Sequence, residues 1–283
     1  MEKIWESIYR PSYITGYNPF IIKNMNKAIE RLVKAINQRE KIVIYSGCDV
    51  DGLCGLASLL LVLKYLNADV EYYIGDEKNN SHSLETETLR NHIHFLGAEL
   101  LITSGCGLES KEQEILCGSL GIDLIITENK KVRSDLKSIY INPSQEGCSY
   151  RYKNLSASGV IFKLMQAIAI YYNMKSINRY LDLILLGTIS SDAENKGENS
   201  IFIKEGINFL NNTNSYGLRA IMEFYNIDEF NCDSIRKIIN VITPAIGAVD
   251  KKDNARIVVE LLTTNDISRA RQITKYLYNE KIR

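Results

Sequence analysis

The sequence predicts an α/β fold, a five-stranded and mainly parallel sheet with flanking helices followed by a helical C-terminal layer, and three observations carry that prediction. Short runs rich in β-branched and aromatic residues alternate with helix-length amphipathic segments through the first half. Beyond residue 152 the helical period continues almost to the end. At 283 residues, with 45% apolar and 24% charged residues, the chain has enough hydrophobic material for one large core around such a sheet.

The strands are read at 41–45 (KIVIY), 69–74 (DVEYYI), 99–103 (ELLIT), 122–127 (IDLIIT) and 138–142 (SIYIN). Helical segments lie between the first four, at 53–66, 85–96 and 109–120, and repeated strand–helix–strand units imply a parallel sheet covered on both faces. The later helices are read at 158–172, 176–190, 199–210, 216–225, 253–262 and from 266 onward. The whole of 1–283 reads as one domain. Its parts are a helical lead-in over 1–40, the sheet region over 41–142, a mostly helical layer over 143–265 and the start of a connecting helix over 266–283.

Lysine plus arginine equals aspartate plus glutamate at 34 each, so no global positive field announces nucleic acid, and any such binding needs a local patch. The six cysteines show no CxxC spacing and several sit in apolar runs, which reads as reduced thiols in a cytoplasmic protein. Neither an export signal nor a membrane-length apolar run is present, so no membrane partner is expected.

In an open parallel sheet, function collects at the carboxyl ends of the strands. The sharpest signal there is SGCDVDG (46–52), where Asp49 and Asp51 follow a strand and precede a helix. Two carboxylates so placed can share a divalent cation or hold a nucleophilic water. Equally, Asp51 can cap the helix that begins at Gly52 while Asp49 stabilises the turn. The three histidines lie away from this loop: His82 is in the loop after the second strand, while His92 and His94, two residues apart on or near a helix, read as surface or packing residues.

The stretch EKIVIYSGCDVDGLCGLASLLLVLKYLNADVEYYIG resembles the first motif region of RecJ-type members of the DHH phosphoesterase family. The segments NPFIIKNMNKAIERLVKAI, LLITSGCGLESKEQEILCGSLGIDLIIT, LSASGVIFKLMQAI, LDLILLGTISSDAENKGENSIFIKEGINFLNNTNSYGLRAIME and NVITPAIGAVDKKDNARIVVELLTTND resemble further RecJ segments in order, so almost the whole chain is covered. The resemblance implies strand-end aspartates and histidines that hold manganese or magnesium and activate water against a phosphodiester. Of that set only Asp49 and Asp51 are kept. Gly47 stands for the first aspartate of the DxDxDG turn and Gly105 for the aspartate of the VDCG motif. The Asp-His-His motif reads Glu128, Asn129, Lys130, and the last metal aspartate falls on Ser191, with Asp192 next to it.

The resemblance with these departures implies a catalytically inactive domain retained for binding or as a scaffold in DNA replication, recombination or repair. It implies a protein partner, weak single-stranded nucleic-acid binding at most, and no cofactor. In the expected arrangement Lys130, alone or with Lys131, supplies the charge of the lost ion to Asp49 and Asp51. Gly159 and Lys163 of GVIFK are candidate phosphate contacts, although helix packing and surface exposure account for them too. The segment PAIGAVDKK replaces a pattern that in the family carries asparagine, glycine and arginine, so Gly247, Asp250 and Lys251 weaken that phosphate inference. Active members place a smaller DHHA1 domain beyond the connecting helix, inside which this sequence stops. Two alternatives stay open: an active 5′–3′ single-stranded-DNA exonuclease or phosphodiesterase using Mn2+ or Mg2+ with rearranged ligands such as Glu128 and Asp192, and a nucleotide sensor that does not hydrolyse its ligand. A scaffold also predicts an exposed apolar or aromatic patch with contributions from the 17 tyrosines.

Overall fold

The computed structural model describes residues 11–75, 84–108, 110–130 and 137–282. Five strands, β1 (Ile42–Ser46), β2 (Val70–Ile74), β3 (Leu100–Ser104), β4 (Asp123–Thr127) and β5 (Ile139–Ile141), form one sheet in the order β2-β1-β3-β4-β5. Every pairing is parallel. Each strand lies within a residue or two of its sequence-predicted position.

A parallel sheet with both faces covered needs apolar residues on both sides of each central strand. β1 and β3 are buried at all five positions. Their alternating side chains serve two cores: Ile42, Ile44, Leu100 and Ile102 face the larger, while Val43, Tyr45 and Leu101 face the smaller. The larger core is filled by α1 (Met25–Gln38), α2 (Val50–Tyr65), α5 (Ala157–Tyr171) and α6 (Leu181–Ser190), and it runs on through α7 (Gly197–Asn211), α8 (Tyr216–Tyr225), α9 (Cys232–Ile242), α10 (Lys251–Thr263) and α11 (Ile267–Ile282). The smaller is closed by α3 (Thr86–Thr88), the π-turn that follows it over Leu89–Ile93, and α4 (Lys111–Ser119). α5 is buried from Ala157 to Ile170, which is why its sequence is apolar all round rather than striped.

Three readings change. The helix expected at 85–96 is a single α-turn followed by a π-turn, in which the His94 N–H donates to the Leu89 carbonyl at 3.0 Å. That register buries both Leu89 and Ile93. The helix expected at 176–190 begins with a separate 3-10 turn at Ile177–Tyr180. The sequence reading also passed over α9, although Asn231 and Ser234 form a capping box and Ile235, Ile238, Val241 and Ile242 make its buried stripe. No described helix is long and apolar enough to cross a membrane, and the six cysteines are free thiols.

Because β1 has β2 on one side and β3 on the other, the chain reverses its direction of winding between β1 and β3. The carboxyl ends of those two strands therefore flank the crevice in which such folds hold ligands.

Candidate functional site

At that switch point lies a cleft of about 460 Å³. It gathers Asp49, Asp51, Gly105, Asn129, Lys130, Ser191 and Asp192 from four separate loops, together with Asn154 and Ala157. Gly47 and Glu128 do not line it. Gly47 is buried in the β1–α2 turn. Glu128 is half-buried and turned aside, where its carboxylate accepts a hydrogen bond from the Tyr140 hydroxyl and covers Gly107 so closely that a Cβ there would lie 2.6 Å from Oε2. Burial raises the Glu128 pKa above the usual carboxylate value, and the Tyr140 bond and Lys130 oppose that rise.

The two aspartates are separately employed. Asp49 is the N-cap of α2, its Oδ1 accepting from the Gly52 N–H at 2.8 Å. Asp51 sits in the first turn of α2 and reaches across to the start of α5: Oδ2 accepts from the Ala157 N–H at 2.7 Å, and Oδ1 accepts from the Ser158 N–H at 2.9 Å and from the Ser158 hydroxyl. The capping reading of the sequence is thus corrected in its roles: Asp49 caps its own helix, and Asp51 caps another. Burial, opposed by the Ser158 bonds and reinforced by the nearby Asp49 charge, pushes the Asp51 carboxyl up to about 7.

Residues 41–188 match the model of the DHH family, N-terminal domain. The chain belongs to the DHH family. It is 30% identical to the single-stranded-DNA-specific exonuclease RecJ of Bacillus subtilis over 261 residues, a match covering 91% of this chain and 32% of that protein. The crystal structure of an exonuclease RecJ bound to manganese superposes with a TM-score of 0.83 at 22% identity, over 96% of this chain and 68% of that one. CDC45 from Entamoeba histolytica shares the fold more distantly, with a TM-score of 0.54 at 10% identity over 90% of this chain and 72% of that one. The chain spans less than half the length of the curated RecJ relatives it matches.

The manganese of that RecJ structure raises the question whether this DHH domain has donors for such an ion. Manganese and magnesium take about six ligands, with carboxylate oxygens, and for manganese imidazole nitrogens, supplied by the protein. Here Asp51 divides its two oxygens among three hydrogen-bond donors. Gly105 has φ +72°, and a Cβ added to it would lie 2.7 Å from the Ala157 Cβ. The first residue of α5 thus closes the space into which an aspartate at 105 would project. Ser191 caps the end of α6, its hydroxyl donating to the Thr188 carbonyl at 2.8 Å. Among the described residues, no group of three or more histidine, cysteine, aspartate or glutamate side chains is placed to hold a metal. The donor set does not fit the ion.

Lys130 lines the cleft but is exposed and makes no ion pair with Asp49 or Asp51; what it does offer is its carbonyl, which accepts from Asn142 Nδ2 at 2.6 Å. The expected substitution of an ammonium for the ion is therefore corrected for Lys130, and Lys131 lies outside the described residues. The neighbour that meets the Asp51 charge is the N-terminal turn of α5, whose amides lack partners within the helix and whose dipole favours an anion. Sequence reasoning missed Ser158 because nothing local distinguishes it from any serine near a helix start.

The GVIFK candidates are corrected too. Lys163 is neither a phosphate ligand nor a surface residue: its side chain is fully buried, with Nζ 2.6 Å from Glu198 Oε1 and donating to Gln166 Oε1 at 2.8 Å and the Tyr17 carbonyl at 2.9 Å. Glu198 also accepts from the Tyr150 hydroxyl and the Tyr17 N–H. This network fastens the segment before α1 to α5 and α7. The Gly159 N–H donates to Ser156 Oγ at 3.0 Å, the N-cap bond of α5, so it too is engaged. Asp250 is the N-cap of α10, and a Cβ at Gly247 would lie 2.2 Å from Glu280 Oε2. His92 and His94 are exposed away from the cleft, while His82 lies outside the described residues.

Proposed function

We propose that this RecJ-like DHH domain is catalytically silent and serves as a binding or scaffold module for a protein of DNA replication, recombination or repair in the cytoplasm. The observation that carries the reading is that the Asp51 carboxylate takes three hydrogen bonds from the start of α5, with Ala157 closing the space beside Gly105. Water activation by a metal needs carboxylates presented to the ion. In this cleft one retained aspartate caps α2 and the other caps α5. The alternative ligand Glu128 is held by Tyr140 outside the cleft.

The similarity to RecJ supplies the nucleic-acid context of the proposal, and the CDC45 likeness is an analogy of fold. Exposed aromatic residues such as Tyr65, Tyr171 and Phe95 are available for contact with a partner. The test is incubation of the protein with 3′-labelled single-stranded DNA in manganese and in magnesium, alongside recovery of partners from the source cell. No shortening of the strand and a reproducible replication or repair partner support the reading. Metal-dependent digestion that Asp49→Ala abolishes overturns it.

A further inference from the structure

Tyr45 and Tyr73 are register partners near the carboxyl ends of β1 and β2. Their rings are nearly parallel, 11° apart with centroids separated by 6.3 Å. Tyr73 lies in turn against His92, at 5.0 Å and 24°. β2 is an edge strand, so the ladder runs from the buried Tyr45 through the half-buried Tyr73 and ends outside the sheet on an exposed imidazole. Lys252 Nζ donates to the Tyr73 hydroxyl at 2.8 Å and so helps fix the middle ring. Three rings are thus held in near-parallel planes, and the series ends on an exposed aromatic ring. Stacking of that kind does not depend on base identity, since every base has a π-face.

We propose that the Tyr45–Tyr73–His92 ladder is a stacking platform for an unpaired nucleobase of a single-stranded nucleic acid. It lies on the same carboxyl edge of the sheet as the cleft, with Tyr45 four residues before Asp49. It deepens the binding-module reading and rests on it for the nucleic-acid context, but it requires neither metal nor turnover. A chain with 34 basic and 34 acidic residues has no general field for phosphate, so the bases carry the affinity and the salt dependence is shallow.

The test uses the whole chain in chelator, with fluorescence anisotropy of a labelled oligothymidylate and of an abasic oligomer of equal length and charge. The platform predicts binding of the base-bearing strand roughly ten-fold tighter than the abasic one. His92→Ala removes that preference without lowering the melting temperature, and His92→Phe keeps it. Equal binding of both oligomers, binding of neither, or an unchanged preference in His92→Ala overturns the platform. Because no digestion occurs in chelator, that failure leaves the proposal of catalytic silence standing, whereas manganese-dependent digestion would sink catalytic silence and leave the stacking result intact.

Discussion

Asp51 and Ser158 are 107 positions apart in the sequence, and the carboxylate of the first accepts both the backbone N–H and the hydroxyl of the second. The contact joins the first turn of α2 to the first turn of α5, the two helices that pack beneath the switch point. Its consequences differ in sign from those of a metal site without its ion.

In a vacated metal site two neighbouring carboxylates repel, and removing one stabilises the fold. In a cap between helices, removal leaves buried N–H groups unpaired. Asp51→Ala is therefore expected to lower the free energy of unfolding by about 3 kcal/mol and Ser158→Ala by about 1 kcal/mol. Urea denaturation measures both, and a more stable Asp51→Ala would refute the capping role.

Restoring the family's carboxylate at 105 does not restore a site. Gly105→Asp must adopt φ +72° and place its Cβ against Ala157. The expected cost is about 2 kcal/mol or more, read as a lower melting temperature that manganese does not recover. A manganese-induced rise in melting temperature would show that Ala157 yields.

Lys163→Met should be among the most destabilising single changes in the chain. It strands Glu198 in a buried position, an effect of about 3–5 kcal/mol. The double variant Lys163→Met/Glu198→Gln is expected to recover part of that loss. Nucleic-acid affinity of folded Lys163→Met should be unchanged, since the ammonium does not reach solvent; weaker binding would revive its phosphate role.

Burial pushes the Asp182 carboxyl up to about 6, against the hydrogen bond from Thr213 and that from the Leu183 N–H. The folded state then holds this proton more tightly than the unfolded state does, so the stabilising contribution is full below pH ~4 and is lost as pH rises through ~6. Asp182→Asn is expected to remove that part of the slope. Denaturation midpoints of both proteins across pH 4–7 check the sign, and parallel curves would exclude it.

The strands and their carboxyl-end loops were legible in the sequence because the β-branched runs and helical periods that define them are local properties. The spacing of Asp49 and Asp51 after a strand likewise marked the cleft, and the glycine at 105 was visible as a departure. α9 was legible in its capping box and apolar stripe, although the sequence reading passed over it. The role of each marked residue was another matter. Lys163 read as a surface cation because its neighbours along the chain say nothing of Glu198, which belongs to another helix. Lys130 read as the counter-charge to two aspartates, whereas the fold brought Asp51 the amides of α5 and left Asp49 capping α2. Chain pattern places a side chain on an element and a face; which donor meets it, and whether it is buried, depends on how distant elements pack, and that packing sets the electrostatics of every group in the cleft.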